Sequence, residues 1–103
     1  MKIVVSRKAS GDLLQIYSYL VQRNPNAAED RARRIDRKFD ELSRFPLIGR
    51  ARSNLGPGVR STALGTHVIF YTIESGLYTI ESGLVTIVRI IDGRRDIDEE
   101  FRR

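Results

Sequence analysis

The heptapeptide Tyr-Thr-Ile-Glu-Ser-Gly-Leu occupies residues 71–77 and recurs letter for letter at 78–84. It lies within HVIFYTIESGLYTIESGLVTIVRII, His67 to Ile91, a run rich in Val, Ile, Thr, Tyr and Phe that Ser-Gly breaks twice. Such a run predicts the two strands of an antiparallel hairpin. The repeat unit carries Gly and no leucine seam, so its period of seven does not denote a coiled coil, and two copies fall short of a solenoid. Side chains alternate with period two along a strand, so slipping one strand by seven would move every residue to the opposite face. Keeping the faces instead sets Ile73, Tyr71 and Ile69 opposite Val85, Ile87 and Arg89 and pushes the surplus into an irregular tip between about Glu74 and Leu84. Tyr78, Thr79 and Ile80 at its centre are poor turn formers. The expectation is a preserved core ladder with a lengthened β-hairpin at 71–84. Its longer hinge would also allow a homodimer, including one formed by exchange of the last strand.

Ahead of the hairpin the periodicity changes. Lys2–Val5 reads as a short first strand, and Ser6 can cap a helix in which Ala9, Leu13, Ile16 and Leu20 share one face, giving a predicted helix from about Arg7 to Gln22. Asn24-Pro25 restarts a helix, with Ala28, Ala32, Ile35, Phe39 and Leu42 on its apolar stripe and an end near Arg44, because Phe45 precedes Pro46. A link of two or three residues makes these an antiparallel helical hairpin. Arg31, Arg33, Arg34, Arg37 and Lys38 read as a solvated face with local acidic partners. Pro46–Gly58 reads as a crossing loop, Val59–Leu64 as a strand, and Gly65-Thr66 as a two-residue turn into the strand that His67 opens. Ile97 and Phe101 can dock a final helical turn on the core. The fold class is therefore α+β: an N-terminal strand, a helical hairpin, then a three-stranded antiparallel meander forming one sheet.

A chain of 103 residues suits one domain, 1–103, with one modest core. With no cysteine there is no disulfide framework and no thiolate metal cage, which fits a reducing cytoplasm. Met1–Val5 is too short for a signal-peptide core and no run approaches a membrane span, so a cytoplasmic protein without membrane contact is expected. The net charge is +5, and 15 of the 18 basic residues are Arg, which favours bidentate contacts to carboxylate or phosphate. No acidic residue occurs from Leu42 to Ile73, whereas Arg44, Arg50, Arg52, Arg60 and His67 all do. One surface should therefore be basic and its partner acidic.

Catalytic constellations are scarce. One His and no Cys exclude a Cys-His pair, and a Ser-His-Asp triad would rest on His67 alone. No metal-ligand spacing and no phosphate-cradling glycine pattern occurs, so neither metal nor cofactor is expected.

The order of motifs carries more. Ala-x-x-Asp-Leu-x-x-Ile at 9–16 and Asn-Pro-x-Ala-Ala at 24–28 are followed by Phe-Pro-x-x-Gly-Arg at 45–50 and Pro-Gly-Val-Arg-Ser at 57–61. Val-Ile-Phe-Tyr at 68–71 and Ile-Val-Arg-Ile-Ile-Asp-Gly-Arg-Arg-Asp-Ile at 87–97 complete the series. Over nearly its whole length the chain resembles the ParE branch of the RelE/ParE toxin superfamily, with the heptad duplication as a departure from the family pattern.

That resemblance implies the toxin of a type II toxin-antitoxin pair. The expected target is DNA gyrase, and the expected neutralising partner is a cognate ParD-like antitoxin that lays a helix-containing tail across the toxin. The alternative, implied by the RelE-like branch, is a ribosome-dependent mRNA endoribonuclease, whose site here would draw on Arg60, His67, Arg89, Arg94 and Arg95. A third reading is a toxin-fold protein inactivated by the duplication. Phe101 stands where the nuclease branch carries a functional tyrosine, and Phe has no hydroxyl to exchange a proton. The protein-binding reading is therefore preferred, with no catalytic residues, and direct contact with nucleic acid is not expected. Its candidate target surface is Arg50, Arg52, Arg60, Arg94 and Arg95, with Phe101 as an apolar anchor. Leu13, Tyr17 and Leu20 are candidates for the antitoxin groove.

Overall fold

The computed structural model describes residues 1–75 and 83–103. Five strands form one mixed sheet in the order β1-β5-β4-β3-β2, where β1 is Lys2–Val5, β2 Arg50–Ala51, β3 Arg60–Leu64, β4 His67–Glu74 and β5 Leu84–Asp92. β1 runs parallel to β5, and all other pairings are antiparallel. The helices are α1 (Arg7–Arg23), α2 (Pro25–Arg44) and a short α3 (Ile97–Arg102). The two-residue β2 and flanking 3-10 turns at Pro46–Ile48 and Ser53–Leu55 lie where a plain crossing loop is expected.

Local chemistry explains the helix ends. Ser6 caps α1 by accepting from the Ala9 amide at 3.1 Å, while its own amide donates to the Ile87 carbonyl at 2.9 Å, so the cap also closes the β1–β5 ladder. Asn24 serves both helices. Its amide donates to the Leu20 carbonyl at 2.7 Å, and its side chain accepts from the Ala27 amide at 3.2 Å. The link is thus one residue, shorter than expected, because a single Asn can end one helix and start another when Pro25 sets the next φ.

Alternation along β4 divides the interior. Ile69, Tyr71 and Ile73 face the helical hairpin, where they meet Ala9, Ile35, Leu42, Val85, Ile87 and Ile90. Val68 and Phe70 face the other side, where Val59, Ile91, Ile97 and Phe101 form a smaller cluster. Fully buried Tyr71 extends its hydroxyl to the segment after α2, donating to the Pro46 carbonyl at 2.7 Å and accepting from the Gly49 amide at 2.9 Å. A Cβ at Gly49 would stand 2.7 Å from the Ser61 carbonyl oxygen, so only glycine permits this approach.

The hairpin keeps its expected faces. Ile73 pairs with Val85 and Tyr71 with Ile87, and the ladder is described to Glu74–Leu84. A slip of seven is thereby excluded for the paired residues. The expected tip falls mostly on residues 76–82, which lie outside the described ones. One pairing differs: Ile69 stands opposite Ile90, not Arg89. A bulge between Phe70 and Tyr71 inserts Val88 as an extra residue on β5 and shifts every later pair by one. At the other end Gly65, with φ 59°, supplies the left-handed residue of a tight turn between Leu64 and His67.

Candidate functional site

Asp12 sits on the buried stripe of α1 and Arg89 in an otherwise apolar strand, so each needs the other. β1 pairs with β5 only as far as Ile87, leaving the rest of that edge open. Asp12 fills the gap: Oδ2 accepts from the Ile90 amide at 2.9 Å and from Arg89 Nε at 2.8 Å, and Oδ1 accepts from an Arg89 terminal nitrogen at 3.0 Å. The two side chains are 12% and 13% exposed. The remaining Arg89 nitrogen donates to the Glu100 carbonyl, tying α1, β5 and α3 together. The hydrogen bond to Asp12 raises the Arg89 pKa above its ordinary value. Arg89 is therefore a structural lock and not a free functional group.

Beside this lock a cleft of about 510 Å³ opens, lined by Ile16, Tyr19 and Leu20 of α1, Arg31 of α2, and His67, Arg94 and Arg95 from the sheet end. Arg31 was expected on a solvated face, yet it donates to the Leu64 carbonyl at 3.3 Å and turns into the cleft. Its i±3 and i±4 neighbours are Ala27, Ala28, Arg34 and Ile35, none acidic, whereas Arg34 pairs with Asp30 at 3.1 Å. Arg94 is held by Asp92 at 2.6 Å, and the same bonds draw the Asp92 pKa well below the usual carboxylate range. Arg95 reaches Glu100 only at 3.8 Å. Burial, then the nearby Arg31, push the His67 pKa down, so it is neutral at pH 7, and its buried Nδ1 has no partner among the described residues.

The five candidate target arginines do not form one patch. Arg50 pairs with Ser61, which pairs with Phe70, so Arg50 lies on the face away from the helical hairpin. Arg52 lies there too, its guanidinium 5.4 Å from the Phe70 ring centroid. Phe101 is not a free anchor: it packs edge-on against Phe70 at 5.4 Å as part of the second cluster. Arg60 is on the opposite face and is consumed structurally, donating to the Gly49 carbonyl at 2.6 Å and to the Leu47 carbonyl at 3.2 Å. Arg94 and Arg95 stand at the far end of the sheet. Of the residues considered for a nuclease, His67, Arg89, Arg94 and Arg95 share the cleft, but Arg60 is four strand positions from the His67 end of β3, roughly 13 Å.

The antitoxin candidates also separate. Leu13 and Tyr17 line a crevice of about 210 Å³ between α1 and α2, whereas Leu20 lines the basic cleft. Ile16 and Arg31 line both, so the two adjoin. Leu14, Tyr17 and Val21 expose a further apolar stripe on α1. Among the described residues, no group of His, Asp and Glu could hold a metal ion, and no helix is long and apolar enough to cross a membrane.

The helical hairpin lies over a mixed five-stranded sheet, and the family match over most of the chain puts it in the class of toxins of type II toxin-antitoxin systems. Residues 3–97 match the family described as ParE toxin of type II toxin-antitoxin system, parDE, and the chain belongs to that family. It is 32% identical over 97 residues to Toxin ParE3 of Caulobacter vibrioides, an alignment covering 93% of this chain and 90% of that protein. To Toxin ParE1 of Mycobacterium tuberculosis it is 28% identical over 98 residues, 94% of each. A structure titled Chromosomal ParDE TA system from P. aeruginosa shares the fold, with a TM-score of 0.69 at 24% identity over 89% of this chain and 95% of that one.

Proposed function

We propose that this toxin arrests growth by binding DNA gyrase, breaks no covalent bond itself, and is neutralised by a cognate ParD-like antitoxin. The observation carrying this reading is that two of the five groups a nuclease would draw on are committed structurally and no tail hydroxyl stands beside the rest. Arg89 is locked to Asp12 and Arg60 holds two loop carbonyls, while Phe101, packed on Phe70, has no proton to exchange. Burial, then Arg31, lower the His67 pKa, so His67 adds little positive charge for holding a phosphate. What the described surface offers is guanidinium groups, suited to binding carboxylate or phosphate but poor at moving protons. Arg50 and Arg52 on one face, and Arg94 and Arg95 at the sheet end, are the proposed target contacts. The crevice at Leu13 and Tyr17, with the adjoining Leu20, is the proposed antitoxin seat. Gyrase as target places the working protein in the cytoplasm.

The test is induction in a bacterium lacking the antitoxin, with ribosome-bound transcripts mapped by primer extension. The expected result is growth arrest with messages intact, reversed when a cognate antitoxin is co-expressed. Messages cut within the ribosome would establish the nuclease reading instead, and unimpaired growth would remove both.

A further inference from the structure

We propose that Phe45, Leu47 and Ile48 form the apolar centre of the surface that docks on the toxin's protein target, and that the target meets it with an apolar side chain flanked by carboxylates. The proposal deepens the target-binding reading above and takes from it only the name of the target.

The surface begins where a helix cannot continue. Phe45 precedes Pro46, so α2 stops at Arg44 and the chain makes a 3-10 turn over Pro46–Ile48. That turn leaves Phe45, Leu47 and Ile48 58%, 63% and 48% exposed. Single exposed apolar side chains are ordinary, but a contiguous group of them marks a contact site. Polar groups from the sheet hold the turn still. The Tyr71 hydroxyl donates to the Pro46 carbonyl at 2.7 Å and accepts from the Gly49 amide at 2.9 Å, and Arg60 donates to the Leu47 and Gly49 carbonyls. The three side chains take no part in these bonds, so they stand free on a fixed backbone, which lowers the entropy lost on docking.

Three observations select the occupant. The surface is hollow: Met1, Phe45, Pro46, Leu47 and Ile48 line a depression of about 500 Å³, which accepts a protein side chain, whereas a surface that enters lipid protrudes. Its surroundings are basic. Asp40 is taken up by Arg44 at 2.6 Å and Glu41 by Lys38 at 3.0 Å, while exposed Arg50, two residues beyond Ile48, has no carboxylate partner among the described residues. A second copy docked hollow to hollow would set these arginines against each other, so charge favours a different, acidic partner. The hollow also lies apart from the α1–α2 crevice. Asp36, the residue of that crevice nearest Phe45 in the chain, is nine positions away, roughly 13 Å along the helix axis. The hollow is therefore no part of the proposed antitoxin seat.

The test uses the full chain carrying Leu47→Ser, Leu47→Asp, Leu47→Lys or Arg50→Glu, each checked for an unchanged melting curve. Half-inhibition of gyrase supercoiling is read with purified proteins, and growth arrest at matched expression in a bacterium lacking the antitoxin. Removing a Leu side chain from a buried contact should raise the half-inhibiting concentration at least about tenfold and relieve the arrest. Leu47→Asp should do more harm than Leu47→Lys, because only the former repels the flanking carboxylates. Arg50→Glu leaves the hollow intact and should weaken inhibition several-fold, which keeps the test valid if changes at Leu47 disturb the turn.

Parental potency of Leu47→Ser or of Arg50→Glu in both assays would overturn the proposal, as would equal losses from Leu47→Asp and Leu47→Lys. Arrest by Leu47→Ser that co-expressed antitoxin no longer relieves would assign the hollow to the antitoxin. Loss of a parental dimer in sedimentation would assign it to a second copy, and binding of the parent but not of Leu47→Ser to phosphatidylglycerol vesicles would assign it to a membrane. Each of these outcomes overturns the proposal. A parent that arrests growth without inhibiting gyrase would sink the gyrase reading alone, and the growth assay then decides the role of the hollow. A parent without effect in either assay overturns both.

Discussion

Truncating Asp12 to Ala removes three hydrogen bonds at once, from Arg89 Nε at 2.8 Å, a terminal Arg89 nitrogen at 3.0 Å and the Ile90 amide at 2.9 Å. The guanidinium left behind belongs to a side chain only 13% exposed, so water cannot replace the lost partner well. Breaking one side of such a buried pair costs about 3–5 kcal/mol. Ala is the better helix former by roughly half a kcal/mol, which offsets a little of this. The expected net loss is about 3–4 kcal/mol, enough to lower the melting temperature of a domain this size by more than about 12 °C. Urea unfolding followed by circular dichroism measures it. The double replacement Asp12→Leu with Arg89→Met should recover most of the loss, because it leaves no charge buried. A single variant within about 1 kcal/mol of the parent would refute the lock, as would a double variant whose loss equals the sum of its singles.

Tyr71→Phe leaves the Gly49 amide and the Pro46 carbonyl without their shared partner and should cost about 1–3 kcal/mol by the same assay. A change below a few tenths would show that the hydroxyl does not hold that segment. Burial and Arg31 oppose protonation of folded His67, while the unfolded chain takes the proton at the ordinary value of 6.5. The unfolded state therefore binds more protons as pH falls through that value, so stability should decline from about pH 7.5 to about pH 5.5, and His67→Gln should flatten the profile. A parent profile already flat over that window would contradict the burial. Deleting 78–84 keeps the residues that pair Ile73 with Val85 and Tyr71 with Ile87, so the shortened chain should stay within about 1 kcal/mol of the parent and retain growth arrest. Loss of folding on deletion would show that the second copy is needed by the core.

Much of the scaffold is legible in the residues because local chemistry and burial agree there. Ser6 and Asn24-Pro25 mark helix ends that the caps honour, and alternation in HVIFYTI assigns faces that the sheet keeps. The β5 bulge leaves no such trace, since Ile-Val-Arg-Ile-Ile is apolar on both sides of Arg89 and fits either register. The site is harder to read because an arginine looks alike in sequence whether it is free or committed. Arg60 and Arg89 serve carbonyls and a carboxylate brought near only by the fold. Two signals are present all the same. Asp12 on a stripe of Ala9, Leu13 and Ile16 demands a buried cation, and Arg31 lacks an acid one turn away in either direction. The five arginines proposed as one surface divide between two faces and two ends of the sheet, because consecutive strand residues point oppositely and the chain reverses at Gly65.

Titrating the purified chain into DNA gyrase acting on relaxed plasmid, with negative supercoiling read on a gel, bears most directly on a toxin that works by binding. Inhibition should rise with toxin concentration and shift to at least about tenfold higher concentration when Arg94 and Arg95 are both changed to Gln, the loss of about 1.4 kcal/mol from the contact. Full supercoiling activity at a large excess of a folded, growth-arresting toxin would contradict the account.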